Sequence, residues 1–141
     1  MNLTPEKPTD APAVPSALTP APVLIDHERL DVYRVSIEFA TMVPALTRAA
    51  RASLRDQLER AAASVSLNLA EGSGRRGVRD RLQFFSIAQG SAMECAAAID
   101  LLLANRHVAQ ADATRAKQKL IRVIQMIAGL RRAFNEKARL R

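Results

Sequence analysis

The stretch NLAEGSGRRGVRDR, residues 68–81, distinguishes an α/β dinucleotide-binding fold from an all-α fold. It contains GSGRRG, which matches the dinucleotide-binding pattern G-x-G-x-x-G, and that pattern needs a buried strand before it and a helix after it. The preceding residues 60–71, RAAASVSLNLAE, are helical by spacing and propensity, and no strand is near them. The sequence therefore predicts a glycine-containing turn between two antiparallel helices at this point.

A second nucleotide-binding pattern fails at the same place. Gly72 and Gly77 have the separation found in a phosphate-binding loop, but Val78 and Arg79 stand where Lys and Ser or Thr are required. The predicted turn nevertheless carries several arginines and a single opposing Asp80: Arg75, Arg76, Arg79 and Arg81. Because a helix N-terminus follows, they form a candidate phosphate-contact site. The alternative is that they are solubilising loop residues.

Composition favours one all-α domain. The chain has 141 residues, enough for one core, and it is rich in Ala, Leu, Arg and Glu but has only 4 % aromatic residues. Cys95 is the only cysteine, so no internal disulfide forms and a reducing compartment fits. We expect no membrane span and no secretory signal, and hence a cytoplasmic protein.

The formal net charge of +7 is unevenly distributed. Residues 1–26 have a net charge of −2, which leaves +9 for the remainder. From Arg115 to the end there are nine basic residues opposed only by Glu136. This balance favours an anionic partner, most often nucleic acid, and the alternative is a solvated basic face.

The chain divides into a tail and a helical domain. Residues 1–25 hold six of the seven prolines and predict a disordered tail. Residues 26–141 predict four helices, which span approximately 27–44, 53–71, 78–105 and 109–137. Because the connections are short, neighbouring helices should be antiparallel, which gives an up-down four-helix bundle.

The first predicted helix starts after Asp26, a plausible N-cap, and ends or kinks at Pro44. It carries two apolar stripes: Leu30, Tyr33, Ile37 and Ala40, and Val32, Val35, Phe39 and Met42. Two apolar faces predict burial on both sides, one in the bundle and one open to another subunit.

The other helices each carry one apolar stripe. These are Leu54, Leu58, Ala61, Val65 and Leu69; then Leu82, Phe85, Ala88, Ala92, Cys95, Ile99 and Leu102; then Ala113, Leu120, Ile124, Ile127, Leu130 and Phe134. Ser53 is the expected cap of the second helix and Gly72 its expected C-terminator. Beside the stripe of this helix lies a polar one: Gln57, Arg60, Ser64, Asn68 and Glu71.

Residues 57–96, QLERAAASVSLNLAEGSGRRGVRDRLQFFSIAQGSAMECA, closely resemble the four-helix-bundle family of 23S rRNA intervening-sequence proteins. The resemblance lies in an Arg-Ala pair, a "SI..NIAEG" segment and an "F..IA.GS..E" segment. In this chain the matching positions include Arg60, Asn68, Glu71, Gly72, Gly90, Ser91 and Glu94. The sequence departs from the family at residues 47–56, TRAARASLRD, which lack the usual Phe-Pro and acidic connection.

The resemblance implies a basic, non-enzymatic homo-oligomer. The family is related to the accessory variability determinants of diversity-generating retroelements, which form barrel-shaped homopentamers that bind nucleic acid and a reverse transcriptase. From the residues, we interpret the motif as chiefly structural. Gly90, Ser91 and Ala92 leave a flat patch for a close backbone, while Asn68, Glu71 and Glu94 join a polar cluster with Arg60 or a loop arginine. Direct ligand contact is the alternative.

No catalytic, metal or cofactor site is expected. Ala104 precedes His107 and Leu24 precedes His27 where a di-iron bundle needs Glu, and Cys95 lies on a core stripe. Two hypotheses remain: an accessory protein that binds structured RNA, DNA or a hybrid through backbone phosphates, or a scaffold that docks an acidic protein. The candidate phosphate contacts are Arg75, Arg76, Arg79, Arg81, Lys117, Lys119, Arg122, Arg131 and Arg132. The scarcity of aromatic residues disfavours base stacking.

Overall fold

A computed structural model describes residues 24–140, and four α-helices make up most of that range. A 3-10 helix at Asp26–Arg29 precedes α1 (Asp31–Leu46), α2 (Ala52–Gly74), α3 (Val78–Ala104) and α4 (Gln110–Arg139). The described residues include no strand. The predicted all-α class and four-helix arrangement are therefore confirmed, while residues 1–23 of the predicted tail lie outside the described range.

The helices form a closed up-down bundle. Each one packs against its neighbours in the chain, and α1 also packs against α4, whereas the backbones of the diagonal pairs do not approach each other closely. The connections at residues 47–51, 75–77 and 105–109 are too short for a crossover, so successive helices run antiparallel. As a result, the α2–α3 turn, the start of α1 and the end of α4 lie at one end of the bundle.

The core consists of aliphatic side chains, alanines and two phenylalanines, Phe39 and Phe85, each 1 % exposed. Buried residues recur at intervals of three and four in every helix, which places them on one face. The stripe of α3 is buried except for Leu82, which is half-buried. In α4, Ala116 and Val123 are also buried, although the predicted stripe omits them. Both residues lie on the face of α4 that packs against α1 and α3.

The first helix begins later and ends later than the sequence predicts. Asp26 starts a 3-10 helix, and extended backbone at Leu30 separates this helix from α1. Pro44 lies inside α1, which continues to Leu46. Val35 and Phe39 of the second apolar stripe are buried in the core, whereas Ile37 of the first stripe is exposed. The second buried face predicted for this helix is therefore only partly covered within the chain.

Gly72 does not end α2, because the helix continues to Gly74. A Cβ atom at Gly72 would lie 2.7 Å from Cε1 of Phe85, so glycine is needed here for the close approach of α3. None of the described glycines has a positive φ, and Gly77 has an extended conformation before α3. The tight reversal therefore does not use the left-handed freedom of glycine that the sequence suggested.

Helix α3 is the one described helix that is long and apolar enough to span a membrane by length and composition alone. It meets this criterion because many alanines raise the apolar content without forming a run of large side chains, and the absence of a membrane span stays a prediction. One face of α3, from Phe85 to Leu102, is buried against α2 and α4. A core helix of a bundle has this pattern of burial.

Candidate nucleic-acid interface

The arginines in and just after the α2–α3 turn lie at the same end of the bundle as three cations near the end of α4. We call this surface the cationic end, and its residues are Arg75, Arg76, Arg79, Arg81, Arg131, Arg132 and Lys137. The turn has three residues, so the last turn of α2 and the first turn of α3 are held close together. The end of α4 packs beside them, since the Phe134 ring centroid lies 6.0 Å from that of Phe85. The antiparallel fold therefore joins two groups of cations that are about 50 positions apart in the chain.

Two of the turn arginines are held in place by neighbours. Arg75 forms an ion pair with Glu71 one helical turn earlier, and its Cζ lies 4.8 Å from the centroid of the Phe84 ring. The Nε of Arg81 donates a hydrogen bond to the carbonyl of Arg75, and its Cζ lies 5.2 Å from the centroid of Phe134. Such contacts fix the guanidinium planes in advance, which lowers the entropy lost on binding an anion.

Arg76 and Arg79 are exposed and have no ion pair within residues 24–140. They flank the first turn of α3, where backbone N–H groups also favour an anion. Their charge is available to a partner, whereas Arg115, Lys117 and Lys119 of α4 each pair with an acidic residue. These two residues are the strongest candidates for phosphate contacts.

Arg131 and Arg132 differ in their surroundings. Arg131 is half-buried, its Nη1 donates a 2.6 Å hydrogen bond to Oε1 of Gln89, and its Nε is buried with no acceptor in the described chain. Arg132 is exposed. Arg131 therefore helps to join α4 to α3, while Arg132 points its charge to solvent. Lys137, which was not predicted as a site residue, also lies here, with its Nζ 5.7 Å from the centroid of Phe134.

The remaining candidate cations lie on the sides of the bundle. Lys117 pairs with Asp100 across the α3–α4 seam, and Lys119 pairs with Glu38 across the α1–α4 seam at 2.8 Å. Because the two lysines are two positions apart on one helix, they point in nearly opposite directions. The structure thus does not bring the nine predicted residues onto one surface.

A shallow basic groove lies between α1 and α4. It has a volume of about 450 Å³ and is lined by Met42, Arg115, Gln118, Lys119 and Arg122. The hydrogen bond and charge of Lys119 hold the pKa of Glu38 below its usual value, and the charges of Arg122 and Arg34 add to this effect. Glu38 therefore stays ionised and partly neutralises the groove, which makes it a weaker anion site than the cationic end.

The family-like motif residues form polar contacts along the α2–α3 seam. Gln57 donates a hydrogen bond to Glu94, and Arg60 donates one to Gln57 at 3.5 Å. Further along, the hydroxyls of Ser64 and Ser91 are 2.7 Å apart. These contacts link the two helices at matching heights, which agrees with the structural interpretation of the motif.

The predicted single polar cluster is not formed. Glu71 and Glu94 are exposed, and Glu71 pairs with Arg75 instead of joining Glu94. Asn68 donates hydrogen bonds to the backbone and hydroxyl of Ser64. The motif residues therefore form three separate sets along the seam: Gln57, Arg60 and Glu94; Ser64, Asn68 and Ser91; and Glu71 with Arg75. Neither of the two carboxylates in these sets is buried. The expected flat patch is covered only in part: Ser91 and Ala92 are buried, whereas a Cβ atom at Gly90 would meet open space within the described chain.

The opposite end of the bundle also carries cations that the sequence analysis did not single out. Arg48 and Arg51 lie in the α1–α2 connection and Arg106 in the α3–α4 connection, all exposed. Arg106 is the one described non-glycine residue with a positive φ, 58°. Their spacing in sequence gave no periodic signal, because they come together only when two separate connections reach the same end.

The described residues provide few groups for catalysis. Cys95 is fully buried, and burial, reinforced by the charge of Glu94, raises the pKa of its thiol to about 12. His107 lies in the α3–α4 connection, and its Nδ1 is buried with no partner there. Within residues 24–140, no three His, Cys, Asp or Glu side chains group together as a metal site requires.

Comparison with known proteins identifies a family. A sequence model of the 23S rRNA-intervening sequence protein matches residues 28–129. The crystal structure of a Bacteroides thetaiotaomicron protein of unknown function, from the S23 ribosomal protein family, is similar in fold, with a TM-score of 0.67 and 17 % identity. The match covers 71 % of this chain and 97 % of that one. No curated protein sequence matches.

Proposed function

Because this chain belongs to the 23S rRNA-intervening sequence protein family, we propose that it binds structured nucleic acid, RNA in particular, through backbone phosphates. The observation that carries the proposal is the cationic end, where Arg76 and Arg79 are exposed without an acidic partner among the described residues. The guanidinium groups of Arg75 and Arg81 are fixed beside them. The family name and the net charge of +7 support the same ligand class.

Binding is electrostatic in this proposal. Guanidinium groups donate paired hydrogen bonds to phosphate oxygens and displace condensed counterions, so affinity falls as salt rises. Contacts of this kind fix the orientation of a nucleic acid but do not read its bases. The short α2–α3 turn keeps the arginines at nearly fixed distances, which favours a folded RNA, a duplex DNA or a hybrid over a flexible strand. The protein has no enzymatic role in this proposal.

The experiment compares two double charge reversals at opposite ends of the bundle. Arg76→Glu with Arg79→Glu removes the proposed contacts, and Arg48→Glu with Arg106→Glu makes the same charge change at the other end. Affinity for a labelled RNA hairpin and a matched DNA duplex is measured over a salt series. For B-DNA, log affinity changes with log salt by about −0.9 per phosphate contacted.

We expect the first variant to bind more weakly and with a flatter salt dependence, while the control variant keeps most of its affinity. Equal losses in the two variants would mean that net charge alone attracts the ligand. In that case the alternative applies, in which the bundle is a scaffold whose basic surface docks an acidic protein. Binding of the parent protein that vanishes near physiological salt would contradict the nucleic-acid role.

We also propose that the protein acts as a homo-oligomer, and the family resemblance suggests a pentamer. The outer face of α2 and α3 supports association, since it exposes several large apolar side chains: Leu67, Ile87, Met93 and Leu101. A ring of subunits would multiply the cationic ends. Light scattering at micromolar concentration tests this, with Leu67→Gln as the variant and Ile121→Gln, exposed on α4, as its control. A monomeric mass contradicts the proposal.

The cellular role that we propose is that of a cytoplasmic accessory factor to a ribosomal RNA element or a reverse transcriptase. It rests on the family resemblance and on the phosphate-binding chemistry of the cationic end. Co-purification from a host that expresses a tagged chain, followed by sequencing of the bound RNA, tests it. Recovery of bulk RNA in proportion to abundance would contradict a dedicated nucleic-acid partner.

A further inference from the structure

A cavity of about 290 Å³ opens at the cationic end. It lies between the 3-10 helix, the end of α2, the start of α3 and the end of α4. Its lining residues are Asp26, Leu30, Ser73, Arg81, Phe85 and Phe134. Small-molecule sites range from about 300 to 1,000 Å³, so this cavity is suited to a single small ring system.

The cavity walls combine aromatic, cationic and acceptor groups. Phe85 forms part of the core, and the half-buried Phe134 ring lies at an angle of 44° to it. The guanidinium of Arg81 covers Phe134 and is held by the carbonyl of Arg75, so the stack of ring and guanidinium exists before any ligand binds. Aromatic rings and guanidinium planes are the surfaces on which splayed-out nucleobases stack.

The carboxylate of Asp26 limits what the cavity accepts. It repels a phosphate group, and it offers an acceptor for the N–H groups that every nucleobase presents at its edge. Cations suited to the attached phosphate lie outside: Lys137 is near Phe134, and Arg79 is exposed in the first turn of α3. The cavity thus combines ring faces and an acceptor suited to a base, while cations suited to a phosphate lie on the same end of the bundle, with Lys137 Nζ 5.7 Å from the centroid of Phe134.

We propose that this cavity takes one unpaired nucleobase of a bound nucleic acid, stacked on the Arg81–Phe134 pair, while the adjoining phosphates contact the surrounding cations. The inference rests on the proposed function and narrows its ligand to a structured nucleic acid with a splayed or overhanging nucleotide. It differs from the sequence expectation that base stacking is disfavoured, because the fold brings Phe84, Phe85 and Phe134 together with the arginines of the cationic end.

The test uses two RNA hairpins with the same stem, one blunt and one with a single 2-aminopurine overhang. We expect the overhang to tighten binding by about tenfold, as one stacked base would, and 2-aminopurine fluorescence to be quenched on binding. Phe134→Leu keeps the volume apolar and should abolish both the affinity difference between the two hairpins and the quenching, whatever blunt-stem affinity it retains. Phe84→Leu is the matched control, because Phe84 stacks on Arg75 but does not line the cavity.

The outcomes separate this inference from the function on which it rests. Equal affinity for the two hairpins, with no quenching, overturns the base site alone when blunt-stem binding still depends on Arg76 and Arg79. Equal loss of the overhang effect in the Phe84 and Phe134 variants also overturns it. Failure of the parent protein to bind either hairpin overturns both. If Phe134→Leu fails to fold, absence of quenching in the parent protein still overturns the inference.

Discussion

Gly72 of α2 faces the ring of Phe85 of α3 so closely that a methyl group on Gly72 would lie 2.7 Å from Cε1 and 2.9 Å from Cδ1. The same methyl group would lie 3.1 Å from Cβ of Phe84. Phe85 is 1 % exposed and cannot turn away, so the pair sets the distance between α2 and α3 next to the cationic turn.

Replacement of Gly72 by Ala should destabilise the bundle. Alanine improves helix propensity by about 1 kcal/mol, but the overlap with Phe85 costs about 1–3 kcal/mol. Urea unfolding measures the difference. Gly90→Ala is the control: it is also inside a helix but meets open space, so it should stabilise the monomer by up to about 1 kcal/mol. Equal stabilisation by both changes would contradict the close packing.

The buried hydroxyls of Ser36 and Ser66, 2.8 Å apart, should show a coupling between α1 and α2. Ser36 donates its proton to the carbonyl of Tyr33 at 2.6 Å, so Ser66 must donate to Ser36. Ser36→Ala leaves the Ser66 donor buried without that acceptor and should cost about 1–3 kcal/mol. Ser66→Ala leaves no buried donor without an acceptor, so it should lower the free energy of unfolding by about 1 kcal/mol or less.

A double-mutant cycle tests this interpretation of Ser36 and Ser66. The double alanine variant should lose less free energy of unfolding than the sum of the two single variants, because it leaves no unpaired hydroxyl. Additive losses, or a larger loss for Ser66→Ala than for Ser36→Ala, would show that Ser66 has another acceptor.

Glu38 should titrate below its ordinary pKa of 4.5, since Lys119 donates a hydrogen bond to its carboxylate. A carboxyl group with a lowered folded pKa stabilises the fold above its unfolded pKa, and this contribution is lost as the pH falls through the folded value. Lys119→Met should raise the pKa of Glu38 in an NMR titration. Lys117→Met, which breaks the pair with Asp100, should leave the pKa of Glu38 in place.

Cys95 should be unreactive towards an aromatic disulfide reagent at pH 8 in the folded protein. Burial raises the pKa of its thiol from 9.0 to about 12, so almost no thiolate forms. The unfolded thiol ionises first, and stability should therefore fall as the pH rises above about 9. Rapid labelling without denaturant would contradict the buried position, and labelling in urea is the positive control.

The sequence predicted the helices more completely than it predicted the residues of the cationic end. The stripe from Phe85 to Leu102 was visible as a three- and four-residue spacing, and its burial in α3 follows directly from helical geometry. The family motif could also be recognised from the sequence, because its residues lie close together in the chain. The start of α1 was not, since the choice between the 3-10 helix at Asp26 and an α-helix depends on contacts with α2.

The helical class, the order of the four helices and the excess of positive charge follow from the amino-acid sequence alone, because periodicity, propensity and composition are local properties of the chain. Which cations lie together depends on how the helices pack. The packing places Phe134 and Lys137 beside Arg81 and Lys117 and Lys119 at different seams, each beside its own acid. The physical reason is that antiparallel packing joins residues far apart in sequence, while the turn of a helix separates near neighbours.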